Sequence, residues 1–214
     1  MVYFDYKNIK PVILKGLGGN IHSKEATDKS YQIRYKDRNI EKLGLIKNFI
    51  PSFKDLSVLD IGCNSGFFSI ELAKLGAFVN GVDIDETLIS KLKTFESETL
   101  KFNMVSVEEI VEQGVSFNII LFMSVYHHLI NIRGIDKARE ILRKLATMSE
   151  CLIFESGQRD EDVSFEWKNK LPEKFSTPED IFEELEHNTD FEKFQLLGSL
   201  PIHNGNRNIF LCTR

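Results

Sequence analysis

Two glycines and two carboxylates in this chain of 214 residues have a spacing that suits a nucleoside-containing ligand. Asp60 and Gly62 end an apolar run, Gly66 follows, and a helical pattern starts at Phe67. A strand, a tight glycine turn and a helix N-terminus let backbone N–H groups approach a ligand closely. Asp83 ends the next apolar run, 21 positions after Gly62 (83 − 62), where a carboxylate suits the paired hydroxyls of a ribose.

The glycine motif differs from two common nucleotide-binding loops. The spacing from Gly62 to Gly66 lacks the middle glycine of the G-x-G-x-x-G fingerprint for nicotinamide dinucleotides, and the sequence has no phosphate-binding loop ending in Gly-Lys-Ser/Thr. Asp60, at the strand end, is placed to face a cation. A cofactor with a positive centre and an amino-acid tail therefore fits the motif better than a dianionic pyrophosphate.

Alternating apolar patterns predict the scaffold that positions these residues. Strands are predicted at 57–61, 77–82, 101–105, 116–122 and 150–155. Helices are predicted at 67–75, 86–96, 107–113 and 134–148. The nearly continuous apolar run over 116–122 is typical of a strand covered on both faces. Together these patterns predict a doubly wound α/β sheet.

The two ends of the scaffold carry their own signals. Asn39 suits the N-cap of a helix through Phe49, and Thr177, followed by a proline, opens a later helix. The runs 191–199 and 207–213 flank a turn-rich segment, which predicts an antiparallel pair. We therefore expect a mostly parallel, seven-stranded sheet with an antiparallel C-terminal strand pair.

Charge is distributed unevenly along the chain. The net charge is −5, but residues 1–50 hold ten Lys/Arg against five Asp/Glu and the remainder carries −10. A basic N-terminal segment either attracts an anionic substrate or forms a solvated surface. The sequence has no strongly basic stripe interleaved with aromatic residues, so nucleic acid is not the favoured partner.

The sequence also carries signals about the cellular compartment of the protein. No apolar run approaches the roughly 20 residues that span a bilayer, and the first residues lack the apolar region of a signal peptide. Cys63, Cys151 and Cys212 are widely spaced and odd in number, so we expect neither a disulfide framework nor a metal site. A reduced, cytosolic compartment is the expectation.

Three motifs in the right order resemble those of class I S-adenosylmethionine-dependent methyltransferases. They are Asp60-Ile-Gly-Cys-Asn-Ser-Gly66, Gly81-Val-Asp83-Ile-Asp85, and the run from Phe117 through His127 and His128. In that family they form the cofactor turn, the ribose-binding strand end, and the fourth strand with the active-site edge beyond it. The resemblance spans about residues 56–155 and implies a Rossmann-like methyltransferase fold with S-adenosyl-L-methionine as the cofactor.

A narrower resemblance is to the methyltransferase domain of the bifunctional kinase-methyltransferases that terminate bacterial O-antigen polysaccharides by methylating a terminal phosphate. It lies in Gly66-Phe-Phe-Ser-Ile-Glu-Leu, Val107-Glu-Glu-Ile, Ser124-Val-Tyr-His-His and Gly134-Ile-Asp-Lys. This likeness implies methyl transfer to an oxygen of a glycan.

The resemblance assigns cofactor contacts by position. The methionine part would lie against the glycine turn, the ribose on Asp83 and the adenine on Ile84, with Ser106 where the family often has an acidic residue. The implied cofactor residues are Arg34, Asp60, Gly62, Cys63, Asn64, Gly66, Phe67, Asp83, Ile84, Ser106, Val107, Glu108, Met123 and Ser124. A nucleophilic role for Cys63 is not expected, because methyl transfer from a sulfonium needs no thiol.

The acceptor side follows from the same likeness. His127 and His128 follow the fourth strand, where one of them either acts as a general base for a hydroxyl or only shapes the pocket. A phosphate oxygen is already anionic and would need orientation rather than a base. The implied substrate-binding residues are Tyr31, Arg38, Tyr126, Arg159 and Trp167, with a core position as the alternative for Trp167.

These assignments divide the chain into segments. Residues 1–38 are expected to be a lid or substrate segment, in which Gly16–Gly19 is a candidate phosphate cradle, with a plain flexible loop as the favoured alternative. Residues 39–214 are expected to be the methyltransferase domain, with the insertion 156–176 facing the substrate. The expected reaction is methylation of a phosphate or hydroxyl on a glycan or glycan precursor. Methylation of RNA or of a small metabolite, and a non-catalytic cofactor-binding regulatory domain, remain the alternatives.

Overall fold

The computed structural model describes residues 29–162, 164–202 and 205–214, with side chains from residue 37 onward. The helices are α1 (Lys29–Phe49), α2 (Phe67–Lys74), α3 (Glu86–Leu92), α4 (Val107–Gln113), α5 (Tyr126–Arg133), α6 (Ile135–Thr147), α7 (Trp167–Lys170) and α8 (Pro178–Asn188). The strands are β1 (Ser57–Ile61), β2 (Phe78–Asp83), β3 (Leu100–Met104), β4 (Phe117–Met123), β5 (Ser149–Glu155), β6 (Lys193–Ile202) and β7 (Gly205–Thr213).

All seven strands form one sheet in the order β3-β2-β1-β4-β5-β7-β6. The pairs from β3 to β5 are parallel, and β7 pairs antiparallel with both β5 and β6. The strand order reverses between β1 and β4, and ligands of such sheets bind outside the carboxyl ends of the strands at that point. This confirms the predicted mostly parallel sheet with its antiparallel C-terminal pair.

The central strands are apolar because helices cover both faces of the sheet. Four of the five residues of β1 are buried, and seven-residue β4 is buried at all but one position. On one face, Ile46 of α1 and Leu72 of α2 belong to the core, and on the other face Ile141 of α6 and Leu185 of α8 do. The two layers hold the strand ends rigidly, so loops that follow the strands have fixed starting points.

The five predicted parallel strands agree with β1 to β5 within one residue at each end. The runs predicted over 191–199 and 207–213 correspond to β6 and β7, whose bounds differ from the prediction by up to three residues. The helices differ more. Helix α1 begins at Lys29, so Asn39 is a buried mid-helix residue and its prediction as an N-cap is wrong. Helix α5 was not predicted, because its N-cap residue Val125 makes no side-chain cap hydrogen bond. The 3₁₀ turn Lys93–Phe95 ends the helix predicted over 86–96.

The segment boundary predicted between residues 38 and 39 falls inside α1, which runs across it without a break. Residues 1–28, including Gly16–Gly19, lie outside the described part of the chain. Among the described residues, no helix is long and apolar enough to cross a membrane.

Candidate active site

The turn after β1 folds tightly back over the end of β2. The amides of Gly62 and Cys63 both donate to the Val82 carbonyl oxygen, at 2.8 and 3.0 Å. Gly62 has φ +69°, and a Cβ there would lie 2.6 Å from Cγ2 of Val125. A glycine is required at this position because both the left-handed backbone and the approach of Val125 exclude a side chain.

Asp83 ties the ends of β1 and β2 together. Its carboxylate accepts hydrogen bonds from the amides of Asn64 at 3.0 Å and Asp85 at 3.1 Å. Each carboxylate oxygen has a second lone pair, so the group can still accept hydroxyl protons from a ligand. The neighbouring Ile84 is 68% exposed, which places an apolar side chain at the strand end. A half-buried acid beside an exposed aliphatic residue fits the ribose and adenine of a nucleoside.

Asp60 is buried behind the glycine turn. Its carboxylate accepts a 2.6 Å hydrogen bond from the Ser69 hydroxyl of α2. Burial raises the pKa of Asp60 from 3.8 to about 6, since the Ser69 bonds offset only part of the desolvation and Asp83 adds like charge. The structure therefore places Asp60 as support for the turn, with its charge state sensitive to mildly acidic pH.

The residues after β3 cap and form helix α4. Ser106 and Glu109 form a capping box at the start of α4, with the Ser106 hydroxyl 2.8 Å from the Glu109 carboxylate. Val107 is buried in the core, and Glu108 forms a 2.7 Å ion pair with Arg133 of α5. The Ser106 side chain thus serves a helix cap, and the cofactor contacts expected of this segment stay predictions.

Three further predicted cofactor residues lie in the turn after β1, at the start of α2 and at the end of β4. Cys63 and Met123 are buried, and Phe67 is half-buried with its ring against Phe68. Burial and the nearby acids Asp60 and Asp83 raise the pKa of the Cys63 thiol, so the group stays protonated. This agrees with a small turn residue rather than a nucleophile.

The two histidines after β4 differ in burial. The Nδ1 atom of His127 accepts a 2.9 Å hydrogen bond from the Gly157 amide, and the ring is buried between His128 and Trp167. In a neutral ring, Nε2 then carries the proton. His128 is half-buried, with its ring 4.2 Å from that of His127. His128 is therefore the more accessible of the two.

The expected substrate-binding residues are not all at one surface. Tyr126 is fully buried and donates a 2.5 Å hydrogen bond to Glu184, which also binds Arg139 through two contacts. Trp167 is buried with its ring against His127, as its alternative core position predicted. These two side chains pack in the core.

Arg159 and Arg38 are half-buried, and Arg159 donates a 2.8 Å hydrogen bond to the carbonyl oxygen of Leu171. Tyr31 and Arg34 lie on α1, but their side chains are outside the described part of the structure. Their predicted roles therefore stay predictions.

A buried charge cluster at the same edge was not predicted. It contains Lys42 of α1, Glu155 at the end of β5, Glu161 beyond it and Arg207 of β7, and it contacts Ser124. The one signal in the sequence is Glu155, an acid that ends an apolar strand. Its partners lie up to 113 residues away along the chain, so spacing could not have indicated them.

Comparison with known proteins identifies the domain. Residues 58–147 match the sequence profile of a family described as "methyltransferase domain". That range contains the glycine turn, Asp83 and both histidines. The chain contains a methyltransferase domain.

Two groups of curated relatives resemble this methyltransferase domain. One is the O-antigen chain terminator bifunctional methyltransferase/kinase WbdD of Escherichia coli, 29% identical over 157 residues that cover 70% of this chain and 20% of the relative. The other is a ubiquinone biosynthesis O-methyltransferase of Agrobacterium fabrum, 34% identical over 100 residues, 45% of this chain and 40% of the relative. The chain thus spans about a fifth of the length of WbdD.

Solved structures agree on the fold. A crystal structure of WbdD superposes with a TM-score of 0.66 at 24% identity, covering 84% of this chain and 40% of that one. The magnesium protoporphyrin IX methyltransferase of Synechocystis PCC 6803, with bound S-adenosylmethionine, superposes with a TM-score of 0.59 at 18% identity, covering 92% and 86%. These likenesses show a shared fold, and the cofactor bound in the second structure is the one that the motifs of this chain imply.

Proposed function

We propose that this methyltransferase domain transfers the methyl group of S-adenosylmethionine to an oxygen of a glycan or glycan precursor. The name of the ubiquinone biosynthesis O-methyltransferases supports an oxygen acceptor. The name of the WbdD relative, an O-antigen chain terminator, supports a glycan. The observation that carries the proposal is the half-buried His128 beside the buried His127, at the carboxyl end of β4.

The geometry of the loops after β1 and β2 supports a cofactor half of the site, which we define as residues 60–67 and 83–84. S-adenosylmethionine would supply an electrophilic methyl group on a positively charged sulfur. Asp83 would accept the ribose hydroxyls, Ile84 would cover the adenine, and the turn from Gly62 to Gly66 would hold the amino-acid tail. Asp60 lies behind that turn and adds negative charge near the cation once it ionises.

His128 is the candidate general base for a hydroxyl acceptor. The lone pair of His127 Nδ1 is engaged by the Gly157 amide, so His127 orients the edge rather than taking a proton. His128 would accept the hydroxyl proton as the oxygen attacks the methyl carbon from the side opposite the sulfur.

The cations at this edge favour a hydroxyl over a phosphate. A phosphate ester needs no base but needs positive charge for orientation. Lys42 and Arg207 are already paired with the buried carboxylates Glu155 and Glu161. A phosphate acceptor would therefore depend on other cations, and Arg159 and Lys168 are half-buried cations in the 156–176 segment.

A transfer assay tests the proposal. Radiolabelled S-adenosylmethionine is offered with phosphoglycans, unphosphorylated glycans, tRNA and quinone precursors as separate acceptors. Label on a glycan is expected, and label on RNA alone would contradict the proposal. A quinone precursor is the second candidate acceptor, which the ubiquinone biosynthesis relatives favour.

The variant His128→Gln separates the two oxygen chemistries. With a hydroxyl acceptor, kcat should fall about 100-fold, because the variant lacks the proposed general base. With a phosphate acceptor, kcat should stay within a few-fold of the wild type. Calorimetric titration with S-adenosylhomocysteine is the control for an intact cofactor site.

A further inference from the structure

Four charged residues from four parts of the fold are buried together beside β4. Lys42 and Glu155 are 5% and 0% exposed, Glu161 is 0% exposed, and the Arg207 side chain is 12% exposed. Two positive and two negative charges make the cluster neutral. Burial of ion pairs is weak evidence for a stabilising role, because desolvation offsets much of the attraction. The cluster therefore calls for another explanation.

The geometry of the cluster centres on one hydroxyl. Arg207 makes a two-pronged contact with Glu161 at 2.8 and 3.0 Å and donates to the Ser124 hydroxyl oxygen at 3.0 Å. That hydroxyl donates to Glu155 at 3.0 Å, while the other Glu155 oxygen pairs with Lys42. Ser124 is thus held as a donor and as an acceptor by two buried charges, which fixes its hydroxyl in one orientation.

Ser124 has an unusual backbone that needs such support. Its φ is +60°, in the left-handed region that non-glycine residues disfavour. Its amide donates at 2.8 Å to the carbonyl oxygen of Glu155, so the same residue binds both the backbone and the side chain of Ser124. The cluster and β5 together keep the chain in this conformation where β4 ends.

Ser124 lies between the glycine turn after β1 and His127. Val125, the next residue, lies against the Gly62 turn, since a Cβ on Gly62 would be 2.6 Å from Val125 Cγ2. On the other side, Gly157 follows Glu155 by two residues and its amide binds His127. A shift of Glu155 would therefore move the turn at Gly62 and the ring of His127 relative to each other.

We propose that Glu155 and Arg207 are positioning residues, which fix the backbone of Ser124 and Val125. They so set the alignment of the cofactor half with the acceptor half, which we define as His127, His128 and the end of β4. They act on the rate of methyl transfer and leave cofactor affinity nearly unchanged. The inference rests on the proposed function, because alignment is measured as turnover. Misplacement of reacting groups by about 1 Å can lower a rate about 100-fold.

The first test is Glu155→Gln in the full chain. We expect kcat to fall about 10- to 100-fold while the Kd for S-adenosylhomocysteine changes less than about threefold. Arg207→Lys keeps the charge but loses the two-pronged contact, so kcat should fall about tenfold. A fall in affinity parallel to the fall in kcat would overturn the proposal.

Two companion variants separate positioning from stability. Ser124→Ala removes the held hydroxyl and leaves the four charges paired, so it should reproduce the loss of kcat even if Glu155→Gln folds poorly. Glu184→Gln removes a buried carboxylate bound to an arginine in the α6–α8 layer and should leave kcat unchanged. An equal loss of kcat in Glu184→Gln and Glu155→Gln would reduce the cluster to a structural role and overturn the proposal.

Amide hydrogen exchange gives a readout that needs no acceptor. In Glu155→Gln, the amides of Ser124 and Gly157 should lose protection, while the Leu59 amide in β1 keeps it. If the wild type transfers methyl to no offered acceptor but this exchange pattern holds, the proposed function fails and the positioning inference stands. Unchanged protection at Ser124 and Gly157 would overturn the inference.

Discussion

Different interactions stabilise the cofactor half and the acceptor half of the site. In the cofactor half, backbone amides at Gly62, Cys63, Asn64 and Asp85 donate to groups at the end of β2, all within 24 residues of chain (62–85). In the acceptor half, buried side-chain charges from α1, β5 and β7 hold the end of β4. The first half should be sensitive to an added Cβ, and the second to a removed charge.

Two equally buried acids show the same contrast. Burial raises the pKa of Asp60 to about 6, because its neighbours are a hydroxyl and another acid. Burial acts in the same direction on Glu155, but the Lys42 and Arg207 charges outweigh it and hold the pKa of Glu155 below its usual value. Glu155 is therefore ionised at neutral pH, whereas Asp60 changes charge in mildly acidic solution.

The largest expected effect is that of Gly62→Ala. The left-handed backbone and the 2.6 Å approach of Val125 Cγ2 together should lower the free energy of unfolding by about 3 kcal/mol. Gly114→Ala is the matched control, since it has φ +65° with open space around its Cβ and should cost about 1 kcal/mol. Urea unfolding measures both. Equal losses in the two variants would show that Val125 does not press on the turn.

The pKa of Asp60 predicts a pH effect of about the same size. A carboxyl whose folded pKa is raised from 3.8 to about 6 contributes stability that is present below pH 4 and is lost as pH rises through 6. Relative to Asp60→Asn, the wild type should therefore lose at most about 3 kcal/mol between pH 4 and pH 7. Urea unfolding of both proteins at pH 4, 5.5 and 7 gives the difference.

A second variant sharpens that measurement. Ser69→Ala removes the hydroxyl that donates to Asp60, which should raise the pKa of Asp60 further and move the loss of stability to higher pH. If the stability difference between the wild type and Asp60→Asn were flat across this range, the carboxyl would not be desolvated as described.

Removal of Asp83 should affect the cofactor half alone. Asp83→Ala deletes the acceptor for the Asn64 and Asp85 amides and for the ribose hydroxyls. The Kd for S-adenosylhomocysteine should rise about 100-fold, by calorimetric titration, since charge-assisted hydrogen bonds contribute about 1.5–3 kcal/mol each. Asp85→Asn keeps the α3 cap and should bind nearly as the wild type does. Undiminished binding by Asp83→Ala would contradict the cofactor assignment.

The same contrast explains what the sequence could predict. Gly62, Gly66 and Asp83 act through local backbone geometry, so their spacing was sufficient to predict the turn and the strands that carry the proposed nucleoside site. Lys42, Glu161 and Arg207 come together only after the sheet has formed. Arg207 and its partner Glu155 are 52 residues apart, so no local sequence pattern predicts that their charges will be buried together. The helix over 126–133 was missed for a related reason, since its stability comes from burial of Tyr126 and Ile130 rather than from a cap.

Replacement of Tyr126 should have the smallest effect on stability, and it tests whether the acceptor half extends into helix α5. Its neighbour His127 packs against His128, but the Tyr126 hydroxyl is bound to Glu184. Burial raises the pKa of that hydroxyl above its usual value. Tyr126→Phe should cost about 1 kcal/mol in urea unfolding, because Glu184 keeps both contacts to Arg139. KM for the acceptor should not change. A rise in KM without loss of stability would return Tyr126 to the substrate site and extend the acceptor half into helix α5.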